Sequence, residues 1–164
     1  MSDVLEFLNY ENPNYDAIPD IPLYMDQLLD YLNTQMNPLL RKGEDGIFTK
    51  TMINNYAKSK VIEPPEKKKY KRSTIADLIL VYHLKQCFSL QDTQALLEIF
   101  KEDASYYADF SQAQKDILDN IAQDYRHLLS TLENDEIKKV ILSLTAEAAI
   151  KKKLAEQLLD AISR

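Results

Sequence analysis

Cysteine and histidine are nearly absent from the 164-residue sequence, which has only Cys87, His83 and His127. A lone thiol cannot close an internal disulfide, and the three residues are too few for a structural zinc site of the Cys/His type. His83 and Cys87 stand four apart, a metal-ligand spacing, but no second pair accompanies them. Both are therefore read as structural, and no metal is expected. Glycine is as scarce: Gly43 and Gly46 bound one loop, GEDG, which lacks the spacing and the Lys-Ser/Thr ending of a phosphate-cradling P-loop. There is no apolar run long enough to span a bilayer. The opening MSDVLEFLNY has neither the basic start nor the apolar core of a signal peptide, so a cytoplasmic protein is expected. No spacing gathers a Ser/His/Asp set. Glu102 and Asp103, as sequence neighbours, point to different sides of a helix. No catalytic residue, cofactor or enzymatic activity is expected.

Helix breakers are missing from most of the chain. All six prolines precede residue 66, and neither glycine nor proline follows Pro65, so the last 99 residues should be overwhelmingly helical. The length suits one domain with a sizeable core and an appended helical element.

The periodicity divides the sequence into an N-terminal arm (1–20), a central domain (21–101) and a C-terminal helical region (104–164). The arm is acidic and aromatic, broken at Pro13 and Pro19, and ordered only where it packs. Pro22 suits the first turn of a helix over 22–36, with Ile21, Met25, Leu28, Leu32 and Met36 at helical spacing. A connection longer than a tight turn, NPLLRKGEDGIF, leads to a short helix over 50–58 capped by Thr49. Ser73 is expected to cap a helix over 74–87 that is apolar nearly all round and therefore central. Ser89 with Asp92 resembles a capping box and opens a helix to about residue 101, anchored by Leu90, Leu96, Leu97 and Phe100. Two amphipathic helices follow. The first, over 111–132, carries Ala113, Ile117, Ile121, Tyr125, Leu128 and Leu132. The second, over 135–162, carries Ile137, Val140, Ile141, Leu144, Leu154, Leu158 and Ile162. Their stripes fit packing within the chain or a homodimer surface; the two-fold symmetry useful to a DNA reader favours the dimer.

The informative stretch is 48–72, FTKTMINNYAKSKVIEPPEKKKYKR. It holds eight basic and two acidic residues, a net +6 in a chain of net −6. Such an island attracts a polyanion while the remaining surface repels it. On the helix over 50–58, Met52, Ile53 and Tyr56 form an apolar back. Lys50, Asn54 and Lys58 line the front, flanked by Thr51 and Asn55, with no acid among them. Asn amides pair with adenine in the major groove and lysines reach guanine or phosphate, so Thr51, Asn54 and Asn55, with Lys50 nearby, are the candidate base readers. After Pro64-Pro65, the run 67–72 reads as a basic strand or hairpin arm. Its Tyr70 either packs inward or stacks on a sugar. Lys58, Lys60, Lys67, Lys68, Lys69, Lys71 and Arg72 are the candidate phosphate contacts.

The runs IPLYMDQLLDYL, TKTMINNYAKSKVIEPPEKKKYKR and LKQCFSLQDTQALL, within residues 21–97, closely resemble the bacterial domain-of-unknown-function family 1836. That resemblance implies a bacterial, Firmicute origin and supplies no established activity. A more distant likeness joins INNYAKSKVIEPP and KKYKRSTIADLILVYHLKQCFSLQDTQALLE to the DNA-binding domain of MerR-class regulators. It implies a mainly α, winged helix-turn-helix fold with a C-terminal helical extension. Asn54, Asn55 and Tyr56 would fall at the end of the recognition helix, which puts Tyr56 among the expected DNA contacts, with Lys69, Tyr70 and Lys71 in the wing and Phe88, Ser89 and Leu90 in the turn before the fourth helix. MerR-class proteins carry Arg where Asn54 stands and Gly where Cys87 stands, and their metal-sensing cysteines have no counterpart. Their long dimerising helix would correspond to 111–132.

The expected function is transcriptional regulation through double-stranded DNA. The alternative is a protein-interaction module that uses the C-terminal helices and leaves the basic island unexplained unless its partner is acidic. RNA binding lacks an aromatic platform of suitable spacing.

Overall fold

The structure is a computed structural model that describes residues 2–131 and 134–162. The described chain is mainly helical. Its α-helices are α1 (Ser2–Phe7), α2 (Met25–Gln35), α3 (Lys50–Lys58), α4 (Arg72–Cys87), α5 (Leu90–Phe100), α6 (Tyr106–Thr131) and α7 (Asn134–Ile162). Two short strands, β1 (Leu23–Tyr24) and β2 (Lys69–Tyr70), pair antiparallel with Leu23 opposite Tyr70 and Tyr24 opposite Lys69. Among the described residues no helix is long and apolar enough to cross a membrane.

The core is built around α4. Ile75, Ala76, Leu78, Ile79, Leu80 and Val81 have no exposed surface, which accounts for a helix apolar on every side. Leu28 and Leu32 from α2, Met36 at its C-cap, Ile53 from α3 and Leu97 from α5 close on it, each at most 2 % exposed. At roughly 2 kcal/mol for each fully buried aliphatic side chain, this cluster is the main source of stability.

Several boundaries differ from the sequence-based expectation. Residues 22–24 are not helical: Leu23 and Tyr24 pair with β2, so α2 starts at Met25, and Ile21, expected on the apolar stripe, is 76 % exposed. Gln27 reaches back to the Tyr24 amide and caps α2. The fourth helix starts at Arg72, which puts Ser73 inside it instead of at its cap. The sixth starts at Tyr106, five residues early, so Phe110 lies within it. On its stripe Ile117 is 55 % exposed, Leu132 lies outside the described residues, and so does the side chain of Leu128.

The long connection between α2 and α3 is held by one side chain. Asn33 Oδ1 accepts from the amides of Ile47 and Phe48 at 2.8 and 2.9 Å, while its Nδ2 donates to the Phe48 carbonyl at 3.2 Å. A Cβ on Gly46 would meet Asn33 Oδ1 at 3.2 Å, so the bare backbone there lets the loop come close. Ile47 and Phe48 are then buried, and Thr49 starts α3 by accepting from the Met52 amide at 3.2 Å.

Candidate nucleic-acid interface

α3 presents the two faces its sequence requires. Ile53 and Tyr56 are buried and Met52 half-buried, whereas Lys50, Thr51, Asn54, Asn55 and Lys58 are all exposed. Tyr56 therefore belongs to the core, and the expectation that it meets DNA is corrected: the back of a nine-residue helix faces the protein.

The helix ends in a hydrogen-bond pattern that normally requires glycine. Lys60 donates its amide to Ala57 at 3.2 Å and Val61 to Tyr56 at 2.9 Å, the two closing bonds of a Schellman motif, with Val61 buried behind them. The residue at the left-handed position is Lys60, at φ 57°.

The turn before β2 repeats this choice. Glu66 and Lys69 exchange both backbone bonds, at 3.0 and 2.9 Å, around a two-residue turn of Lys67 and Lys68. Their φ values are 49° and 66°, the conformation for which Asn-Gly is preferred. Both lysines are exposed at the tip.

The rest of the basic run 67–72 is tied to the protein. Lys69 is half-buried with its Nζ 4.7 Å from the centre of the Tyr24 ring. Tyr70 is 2 % exposed, so of its two possible placements it takes the inward one. Lys71 Nζ lies 2.8 Å from Glu63 Oε2, a hydrogen bond that holds the Glu63 carboxyl below its usual range. Arg72, expected to neutralise phosphate, is half-buried. Its guanidinium lies 3.4 Å from Asp20 and 3.8 Å from Asp16, and 5.7 Å from the Tyr15 ring centre. As the first residue of α4 it is turned towards the arm. Within residues 48–72 the cations left without an ion pair are Lys50, Lys58, Lys60, Lys67 and Lys68, together with Lys69 over its ring.

The family model of the Domain of unknown function (DUF1836) matches residues 13–117. The chain belongs to the DUF1836 family. The DUF1836 segment contains α2 to α5 and both strands, hence every candidate contact residue, and ends inside α6. No curated protein and no solved structure matches the chain.

Two polar clusters fasten α4 to its neighbours, the first to the arm and α6, the second to the end of α5 and the start of α6. In the first, Asn12 of the arm accepts from Tyr10 OH at 2.6 Å and donates to Gln114 Oε1 of α6 at 2.7 Å. His83 of α4 lies between them, its Nε2 3.3 Å from Asn12 Oδ1 and its Nδ1 3.3 Å from Gln114 Nε2. Nε2–H donating to Asn12 while Nδ1 accepts from Gln114 satisfies the neutral ring, and burial lowers its pKa to about 4. In the second, Asp77 of α4 is 1 % exposed and accepts from Lys101 Nζ at 2.5 Å and Tyr106 OH at 2.7 Å. Burial raises its pKa, and the two donors oppose the rise.

Neither cluster was apparent from the sequence. Apart from the neighbours Tyr10 and Asn12, their bonded partners lie 24 to 102 residues apart, and an isolated Asn, His or Asp carries no periodic signal.

Proposed function

We propose that the chain is a non-enzymatic regulator of transcription that binds double-stranded DNA, with α3 in the major groove and the wing on phosphates. The observation that carries this reading is the exposed front of α3, free of acid and followed by three exposed lysines in glycine-type backbone positions. The order of α2, α3, wing, α4 and α5 fits a winged helix-turn-helix of MerR-like layout.

In this mechanism Thr51, Asn54 and Asn55 meet base edges, and Lys50 reaches guanine or phosphate. Lys58, Lys60, Lys67 and Lys68 neutralise phosphates. Lys69 and Lys71 contribute charge from a fixed strand, and Arg72 acts indirectly by holding the arm against α4. Two copies reading half-sites related by a two-fold axis gain affinity and specificity together.

The test separates reading from attraction. Asn54→Ala should weaken binding to a specific site by about 1 to 3 kcal/mol while leaving random duplex nearly unchanged. Lys68→Ala should weaken both alike and flatten the dependence of log affinity on log salt by about one unit. Equal losses for Asn54→Ala on both DNAs remove it from base reading.

The exposed aliphatic residues of α7, Leu154, Leu158 and Ile162 among them, support the alternative of a protein-interaction module. That alternative moves ahead if the intact chain ignores duplex DNA at low salt and truncation after residue 101 abolishes capture of a protein partner.

A further inference from the structure

The two-stranded sheet sets an exposed aromatic ring among the lysines of the basic run. Tyr24 of β1 pairs opposite Lys69 of β2, and its side chain is 51 % exposed. Pro22, Tyr24, Glu66, Lys67, Lys69 and Lys71 line one open cleft of about 380 Å³. Lys69 and Lys71 are alternate residues and leave the extended chain on one face, about 7 Å apart. Lys67 joins them from the turn.

The charge in the cleft is unevenly committed. Its one carboxylate is Glu66, and Lys71 is held at 2.8 Å by Glu63. Lys69 Nζ rests 4.7 Å from the centre of the Tyr24 ring, and Lys67 is exposed with no ionic partner among the described residues. A half-exposed ring with a cation at each side is complementary to an apolar ring that carries an anion at each end. The sugar of a nucleic-acid backbone, with its two phosphates, is such a unit.

We propose that this cleft takes one deoxyribose of a DNA duplex, with Tyr24 packed on the sugar and Lys67 and Lys69 on the phosphates before and after it. The proposal rests on the DNA reading and adds to it a contact from β1. Tyr70, the other tyrosine of the sheet, is 2 % exposed and turned inward, so the aromatic contact falls to Tyr24. Because every deoxyribose is alike, the contact serves all sequences equally.

Fluorescence anisotropy of a labelled random duplex with the full chain, at two salt concentrations, tests this. Tyr24→Ala should weaken binding about fivefold at either salt, since an apolar contact releases no counterion, and Tyr24→Phe should bind as the parent does. Lys69→Gln should instead flatten the salt dependence by about one unit. The sequence has no tryptophan, so Tyr24→Trp places a single reporter in the cleft. Its emission should be shielded from acrylamide by the duplex and not by poly-L-glutamate, a readout that stays decisive if Tyr24→Ala misfolds. Duplex affinity indifferent to Tyr24→Ala, or a Tyr24→Trp emission that bound duplex leaves open to acrylamide, overturns the proposal while the DNA reading stands. Equal shielding by poly-L-glutamate overturns it too and assigns the cleft to an acidic protein. A parent chain that binds no duplex at low salt overturns both.

Discussion

At Lys60, Lys67 and Lys68 the backbone has φ of 57°, 49° and 66°, a region that costs a residue with a Cβ about 1 kcal/mol or more relative to glycine. A chain selected for stability alone would place Gly or Asn at all three. If the site binds DNA as proposed, lysine there keeps a cation on a turn whose backbone has little freedom left to lose on meeting phosphate. Replacing Lys67 by Asn and Lys68 by Gly should therefore raise unfolding stability by about 1 kcal/mol in urea titration. The same change should weaken duplex binding and flatten the salt dependence by about two units. Stability unchanged or lowered would mean that the turn carries no strain. None of this was legible in the sequence, because a run of lysines names no turn type. His83 gives a second residue-scale expectation. Its folded pKa of about 4 lies below the 6.5 of an unperturbed imidazole, so between those values the unfolded chain binds more protons than the folded one. Stability is fully present above about pH 6.5 and is lost as pH falls towards 4, by roughly 3 kcal/mol from this group. His83→Gln should remove that share of the acid sensitivity in denaturation at a series of pH values. An identical loss in both proteins would exclude His83 as its source.

At the scale of elements, the junction of α4, α5 and α6 rests on a buried carboxylate. Lys101→Met leaves Asp77 in the core with only Tyr106 as donor, and should lower unfolding stability by about 2 to 3 kcal/mol. Pairing it with Asp77→Asn should recover part of that loss; no recovery would show that the lysine acts through packing. The elements themselves were unevenly legible. The bounds of α3 and α5 followed from Thr49 and Ser89, whose side chains accept from the amides three residues on. The central place of α4 followed from its all-round apolarity. The two strands could not be read, because two residues make no alternation and Leu23 finds its partner at Tyr70. For the same reason Pro22 misled: a proline before an apolar period starts a helix unless a distant strand claims the next residues. Within the candidate site the exposed front of α3 was legible from periodicity. So was the burial of Tyr56 on its back, while the inward choice of Tyr70 and the hold of Asp16 and Asp20 on Arg72 were not, being tertiary facts.

For the whole molecule, the charges are sorted. Residues 48–72 carry +6 while the chain totals −6, so a polyanion is drawn to one region and turned from the rest. The arm takes part in that sorting. Its Asp16 and Asp20 occupy Arg72 at one end. Glu11 lies 2.5 Å from Lys115, and Asn9 Oδ1 accepts from Arg126 at 2.8 Å at the other, so the arm strings the domain and α6 together while removing cations from the free surface. The most direct test is the affinity of the purified chain for duplex DNA from its own upstream region and for random duplex, each at two salt concentrations. Tighter binding to the upstream DNA, with a steep salt dependence on both, is the expected result. Failure to bind either duplex at low salt would contradict the DNA reading and leave the basic island to another partner.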